Sequence, residues 1–397
     1  MQGIPPRPKL AILFRYGAGE HVHFLPALPD LAENLSDKYE LHHYGFRSRE
    51  PIPPNLEAHL AIHHLFFTVR RRSEFDKHFK AVLWMMLLPF LGLYLRGRGF
   101  QTVFLDETVP LSVPLFRLGY RRRLVLTVHD FFMDIYFLPN RWLHPLGKWI
   151  KNIDFRAWRN VDTVFTRVES TRIFLMEQGV DAARIQVVHD PCDLNLFRPR
   201  NPASARKKWG FSDEDVVLVH HGVMHPNKGN DRILRAMARI KKDLPHLKLL
   251  LIGEGPEYDN LRELILELAL SEQVRLTGWL ASMGEVAESL NAADIGLSMR
   301  VGGPGDHFHV TSTMVHNLAS GLPTLSARLD GFQEVMTDGH EGYFFDPECG
   351  AEFHERLREL VGNPGLRKAM GRNARKTAEE KFDRKRIARQ LAAAFRT

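Results

Sequence analysis

The chain has 397 residues, 44% of them apolar and 25% charged, and a formal net charge of +7. That length buries two substantial cores, so two domains are expected, and the composition is ordinary for a soluble protein. Cys192 and Cys349 are too few for a disulfide framework, which fits a reducing compartment, and residues 1–8 lack the apolar core of a signal peptide; the expectation is a cytoplasmic protein.

In chain order, the first apolar run of strand length is Lys9–Phe14, followed by Gly17-Ala18-Gly19, with Glu20, His21 and His23 beside it. Runs at Tyr39–Tyr44 and Ala58–His63 come next. The entire net positive charge falls in the first 200 residues, gathered at Arg70-Arg71-Arg72, Lys77, Lys80, Arg96, Arg98 and Arg121-Arg122-Arg123. Between the clusters lies the apolar stretch Ala81–Leu95, interrupted by Pro89 and shorter than the roughly 20 residues that span a bilayer. It reads either as a core helix feeding the strand Gln101–Leu105 or as a surface segment that dips into a membrane between basic flanks. No nucleic-acid-binding motif accompanies the charge.

Leu124–Val128 then ends in His129-Asp130, and Thr163–Thr166 and Ile185–Val188 complete the first series. The pattern lapses between His189 and Pro199. A second series follows at Val216–His220, Lys248–Ile252, Val274–Leu276, Ile295–Met299 and Pro323–Ala327. Strand-helix repetition of this kind predicts parallel sheets covered by helices, hence two doubly wound Rossmann-like α/β domains, 1–195 and 196–378. A last helix occupies 379–397. In such sheets ligands bind beyond the carboxyl ends of the strands.

The second series carries the densest motif, residues 310–323. Thr311 and Ser312 are suited to capping a helix start, Met314, Val315, Leu318 and Ala319 make an apolar stripe, and Gly321 suits a left-handed C-terminal cap. A capped helix N-terminus behind Gly302, Gly303 and Gly305 is a natural seat for a diphosphate, because amides and macrodipole both favour anions.

The stretch from Leu318 through Gly321-Leu322-Pro323 to Ser326 resembles the helix-Ala-x-Gly-x-Pro-strand signature of glycosyltransferase family 4. Three further pieces match in the right order: Gly222 through Lys228-Gly229 resembles the phosphate loop, Leu251 through Gly253-Glu254-Gly255-Pro256 the strand-ending Gly-x-Gly-Pro, and Val274 through Gly278-Trp279 the base-binding turn. The resemblance covers about the second half of the chain. It implies the GT-B fold, two such domains facing a cleft with the last helix crossing back to the first domain, and transfer of a sugar from a nucleotide diphosphate donor to an acceptor hydroxyl with retention.

It further implies that Lys228 and the amides of Ser312 and Thr313 meet the diphosphate, that backbone near Gly278, Trp279 and Leu280 meets the base, and that Gly17, Gly19 and Gly222 let backbone approach the donor. His129 would orient the sugar and Asp130 hold a tautomer or the acceptor. Two departures stand out. Val223 occupies the place of the family's usual Arg after the phosphate-loop glycine, leaving Arg300 as a candidate replacement. His316 and Phe308 occupy the places of a Glu pair, leaving His316 to hydrogen-bond a hydroxyl and Asp306 as the nearest carboxylate for the sugar.

Twenty histidines invite a metal reading, but no Cys pair or His-Glu-x-x-His spacing accompanies them, so no metal or other cofactor is expected. The basic first half would meet a lipid-linked or anionic glycan acceptor at the cytoplasmic membrane face, in envelope or exopolysaccharide assembly. The alternatives are a catalytically degenerate relative that binds a glycan or protein partner, and a nucleotide-sugar epimerase.

Overall fold

The computed structural model describes residues 6–20, 23–48, 51–68, 74–107, 109–129, 141–308 and 310–395. Of the residues singled out above, His21, Arg70-Arg71-Arg72 and Asp130 lie outside them, as does the side chain of Lys77. The chain forms two units, 1–191 with 384–397, and 192–383. The expected boundaries at 195/196 and 378/379 thus fall at 191/192 and 383/384.

The first unit holds a seven-stranded parallel sheet, β1 (Lys9–Leu13), β2 (Glu40–Arg47), β3 (Ala61–Thr68), β4 (Thr102–Glu107), β5 (Arg123–Val128), β6 (Thr163–Thr166) and β7 (Ile185–Val187), in the order β3-β2-β1-β4-β5-β6-β7. β4 is buried along its whole length, as a strand covered on both faces by helices must be. Helices α1 (Leu28–Leu35), α2 (Glu74–Gly97), α3 (Ser112–Gly119) and α4 (His144–Trp158) belong to this unit, with α2 packed on α3 and α3 on α4.

The second unit holds a six-stranded parallel sheet, β8 (Val216–His221), β9 (Leu247–Ile252), β10 (Val274–Leu276), β11 (Ile295–Ser298), β12 (Thr324–Ala327) and β13 (Gly342–Phe345), in the order β10-β9-β8-β11-β12-β13. β13 is absent from the sequence-based series. It is a four-residue edge strand with aromatic residues on both faces, so it offers no alternation to detect. α5 (Asn230–Ile240) follows β8, and α6 (Ser312–Ala319) lies between β11 and β12.

The chain's last helix, α7 (Arg384–Ala393), belongs to the first unit and packs on α1. Ile387 and Leu391 are buried there, each contributing about 2 kcal/mol by apolar burial. Tyr39 Oη donates to the Phe395 carbonyl at 2.7 Å, and Arg384 pairs with Asp30 at 3.1 Å.

The stretch 81–95 is helical but only one of its faces is core. Trp84, Leu88 and Leu95 are buried, whereas Phe79, Val82, Met86, Phe90 and Leu93, at helical spacing, stand in solvent, Phe90 at 69% exposure. The core-helix reading therefore holds for one side of α2 and fails for the other. Of the described residues, 79–97 is the one helical stretch long and apolar enough to cross a membrane.

Candidate active site

In each unit the strand order reverses once, between β1 and β4 and between β8 and β11, and the polar clusters of the molecule form at those places. In the first unit β1 runs into a tight turn, in which the Glu20 amide donates to the Gly17 carbonyl at 3.0 Å. A Cβ on Gly17 would stand 2.4 Å from the Ser48 amide nitrogen, so only glycine lets this turn lie against the end of β2. Gly19 is buried in the same turn. His23 follows with φ of +53°, a left-handed conformation that costs a non-glycine residue free energy and needs holding in place.

Asp106 holds it. This carboxylate, at the end of β4, lies 3.0 Å from His23 Nδ1 and 2.7 Å from His129 Nε2, just beyond β5. Arg167, just beyond β6, donates from Nε to His129 Nδ1 at 2.6 Å and pairs with Asp190 at 3.0 Å. Since arginine only donates and an ionised carboxylate only accepts, His129 is neutral with its proton on Nε2, and His23 carries a proton on Nδ1. Burial, and then the Arg167 charge, pushes the His129 imidazole down to about 3. Burial alone would raise Asp106, but its pairing with His23 and the hydrogen bonds from His129 and His23 outweigh it and hold the carboxyl well below the usual range. The two imidazole rings lie one over the other, with centroids 3.8 Å apart.

His23, Asp106 and His129 are the cluster among the described residues that offers three metal-ligating atoms. Two donors on a tetrahedral ion with bonds near 2.1 Å sit about 3.4 Å apart. The 2.7 and 3.0 Å separations here are those of hydrogen bonds, and Arg167 adds a positive charge beside them. The residues as placed are joined to one another and do not fit a cation. His129 itself is buried, and both its ring nitrogens are engaged within the unit.

In the second unit the loops after β8 and β9 touch. A Cβ on Gly253 would stand 2.0 Å from the Gly222 carbonyl oxygen, so this approach requires glycine, with φ of +135°. Lys228 ends a short 3-10 turn, Pro226–Lys228, and is half-buried. Its charge reaches the sheet. His220 is pushed down to about 4, first by burial and then by Lys228 and Arg300, against the Leu297 carbonyl that favours its proton. His221 is lowered too, by burial, His316, His220 and Lys228.

α6 is capped as its sequence suggests, the Thr311 hydroxyl accepting from the Met314 amide at 3.2 Å, and Ser312 is exposed at the helix start. Thr313 is buried and donates to the His221 carbonyl at 2.7 Å, which fixes the start of α6 beside Gly222. His316 is stacked between Phe197, centroids 3.8 Å apart, and His221, 5.1 Å apart. The structure thus brings together Gly222, Lys228, Arg300, Thr313 and His316. Gly278 has φ of +72° and accepts from the Gly253 amide at 3.1 Å, beside exposed Trp279 and half-buried Leu280.

Arg300 and Asp306, expected as a donor-binding and a catalytic group, are joined to each other. Arg300 Nη1 donates to Asp306 Oδ1 at 2.9 Å, the Gly303 amide donates to Oδ2 at 3.0 Å, and both side chains are buried. The cation offered to the diphosphate and the carboxylate offered to the sugar neutralise each other.

The first unit's cluster is where sequence reasoning fell short: Asp106, Arg167 and the clamp on His23 carry no motif. A faint signal existed in Asp106-Glu107, two carboxylates ending an otherwise apolar strand. In the second unit, Phe197 and His221 went unnoticed as the walls around His316.

Residues 28–196 match the family model Glycosyltransferase Family 4, and residues 203–377 match Glycosyl transferases group 1. The putative glycosyltransferase EpsD of Bacillus subtilis (strain 168) is 25% identical over 254 residues, covering 62% of this chain and 64% of that protein. The lipopolysaccharide core biosynthesis glycosyltransferase LpsE of Rhizobium meliloti (strain 1021) is 28% identical over 182 residues, covering 46% of this chain and 50% of that protein. The chain thus spans about half to two thirds of the length of these relatives. Anabaena Alr3699/HepE, solved in complex with UDP and glucose, superposes with a TM-score of 0.72 at 17% identity, over 98% of this chain and all of that one, which shows the GT-B fold.

Proposed function

This chain belongs to the group 1, family 4-like glycosyltransferases, and from that we propose that it moves a hexose from a nucleotide diphosphate sugar to an acceptor hydroxyl, with retention, in envelope or exopolysaccharide assembly. The observation that carries the reading is the convergence in the second unit of Lys228, Gly222 and the capped start of α6 at the reversal of strand order. Amides at a helix start and an ammonium together favour a diphosphate, most of all as its charge grows on departure.

In the proposed reaction the bond from the anomeric carbon to the diphosphate breaks with its electron pair going to phosphate. The acceptor oxygen bonds the same face of that carbon, and the leaving phosphate takes the acceptor proton. Lys228 and the α6 amides stabilise the leaving group, and Gly278, Trp279 and Leu280 flank the base. Because these groups supply the neutralising charge, transfer is expected to persist in a chelator.

UDP and UDP-glucose are the first probes, followed by the other nucleoside diphosphates and their sugars. Thermal stabilisation by one base is expected, with affinity weakened roughly 10- to 100-fold in Lys228→Ala, the loss of a hydrogen bond to a charged group. Stabilisation unchanged in the variant would sink this site. Failure of every nucleotide would favour a catalytically degenerate binding protein, a reading that the Arg300–Asp306 pair and the stacked His316 already support.

For the acceptor we propose a lipid-linked or anionic glycan met at the cytoplasmic face of a membrane, with the protein lying on that surface. Support comes from the first unit. Besides the exposed stripe of α2, Trp142, 91% exposed, and Leu146 and Trp149 on α4 stand in solvent in the half of the chain that carries the net positive charge. Co-sedimentation with phosphatidylglycerol vesicles should weaken about tenfold when Trp142 and Trp149 are both changed to Ser. Undiminished sedimentation would remove these residues from any contact.

A further inference from the structure

Asp306, the carboxylate expected to serve the sugar, is buried and joined to Arg300 and the Gly303 amide. Those bonds pin the short 3-10 turn Pro304–Phe308, and the next residue, His307, keeps 34% of its side chain in solvent. The loop that carries this turn is fastened to the diphosphate seat before and after it. The Val301 amide donates to the Asn227 carbonyl at 3.1 Å, inside the turn that ends in Lys228. The Ser298 hydroxyl lies 3.2 Å from that of Thr311, which caps α6.

A second loop orients the imidazole. β12 ends at Ala327, and Asp330 opens the one-turn helix Asp330–Gln333 beyond it, at the same carboxyl edge of the parallel sheet. His307 Nδ1 lies 3.2 Å from Asp330 Oδ2 and 3.5 Å from the Asp330 amide nitrogen. The shorter contact is to a carboxylate, which accepts, so Nδ1 carries the proton and Nε2, on the opposite edge of the ring, is the acceptor. Such a nitrogen suits a hydroxyl. A diphosphate, whose oxygens only accept, gains nothing from it.

The strand order says which part of a donor lies there. Along the carboxyl edge the sheet runs β10-β9-β8-β11-β12. The Gly278 turn, where the base is expected, follows β10, and the diphosphate seat lies at the reversal between β8 and β11. The His307–Asp330 pair joins the loops after β11 and β12. A nucleotide diphosphate sugar laid in that order brings its sugar to the pair.

We propose that His307 accepts a hydrogen bond from a hydroxyl of the donor's sugar, with Asp330 as its positioning residue. The proposal rests on the transferase reading for the presence of a donor, and it gives the sugar a partner in place of Asp306.

Calorimetric titration of the full chain with matched ligands tests it: UDP with UDP-glucose, GDP with GDP-mannose, ADP with ADP-glucose. For the base that binds, His307→Ala should weaken the nucleotide sugar about fivefold, the size of one hydrogen bond to a neutral hydroxyl. Affinity for the nucleoside diphosphate should not change. His307→Gln, which retains an acceptor, should recover part of the loss. Asp330→Ala should weaken the sugar-bearing ligand alone, by about threefold, a selectivity that a merely structural role would not produce. Melting temperatures should stay near that of the wild type, because both side chains are partly exposed. In His307→Ala, an equal loss for both ligands of a pair, or a loss for neither, would overturn the proposal while leaving the donor site in place. A wild-type protein that binds no ligand of any pair would instead fail the transferase reading, and this proposal with it.

Discussion

The two polar clusters occupy equivalent places in two similar sheets, yet they are built in opposite ways. In the first unit, Asp106, His129 and Arg167 consume one another's hydrogen bonds, and a single imidazole, His23, is left at the surface. In the second, burial lowers His220 and His221 and Lys228 adds its charge to that, and the backbone around Gly222 and α6 is shaped for an anion. One cluster spends its chemistry on holding a side chain still. The other directs it at a ligand. Loss of a residue from the first should therefore cost stability, and loss from the second should cost binding.

The largest effect should come from Asp106→Ala. It leaves the buried His129 and the partly buried His23 without their shared acceptor, and losing two such hydrogen bonds to a buried carboxylate costs about 3–5 kcal/mol. Denaturant midpoints will measure this, with Lys228→Ala as the contrast, expected to fold as the wild type does. A small loss in Asp106→Ala would mean that the cluster is hydrated and open, and the contrast between the units would fail.

Acid tests the same contrast with a smaller effect. Burial pushes His43 and His129 down to about 3, and His220 to about 4, from an unfolded value of about 6.5. A histidine lowered in the folded state binds its proton more readily when unfolded. Its contribution is therefore complete above about pH 6.5 and is lost as the pH falls toward 3–4, at most about 1.4 kcal/mol per pH unit for each group. His43 separates burial from networking. It is buried on β2 with no hydrogen-bond partner on either ring nitrogen among the described residues, His63 and His64 adding their charges to the burial. His43→Leu should make the acid slope of stability shallower by up to one such group. An unchanged slope would show that His43 is already hydrated.

These differences also explain what was legible in the sequence. Strands buried on both faces, such as β4, β5 and β9, appear as plain apolar runs, so both sheets could be anticipated. The edge strand β13 could not. The second unit's cluster is legible because its parts are local: a capped helix, a turn ending in Lys228, glycines at close approaches. The first unit's cluster joins residues 83 apart, His23 to Asp106, and 38 apart, His129 to Arg167, and no local pattern carries such pairs. The motif at His129 was visible, but its burial under His23 was not. On α2, Ala81–Leu95 is apolar all round, so the sequence could not say that only one face is covered.

The smallest predicted effect bears on the departure at Val223. If Arg300 supplied the cation that the family usually places after the phosphate-loop glycine, a second one at Val223 would add little. The structure argues otherwise, because Arg300 is buried and its charge is met by Asp306 at 2.9 Å. Val223 is 40% exposed directly after Gly222, where a longer side chain meets no obstacle of burial. Val223→Arg should therefore tighten binding of the diphosphate that stabilises the wild type by about 1 kcal/mol, roughly fivefold, for one added charge-assisted hydrogen bond at a partly exposed site. Calorimetric titration at low and at moderate salt will show it, and the gain should shrink with salt as screening grows. No gain at low salt would mean either that Arg300 leaves Asp306 when the ligand binds or that the diphosphate seats away from Gly222. Repeating the titration in Arg300→Met separates the two, since only the first predicts that affinity falls.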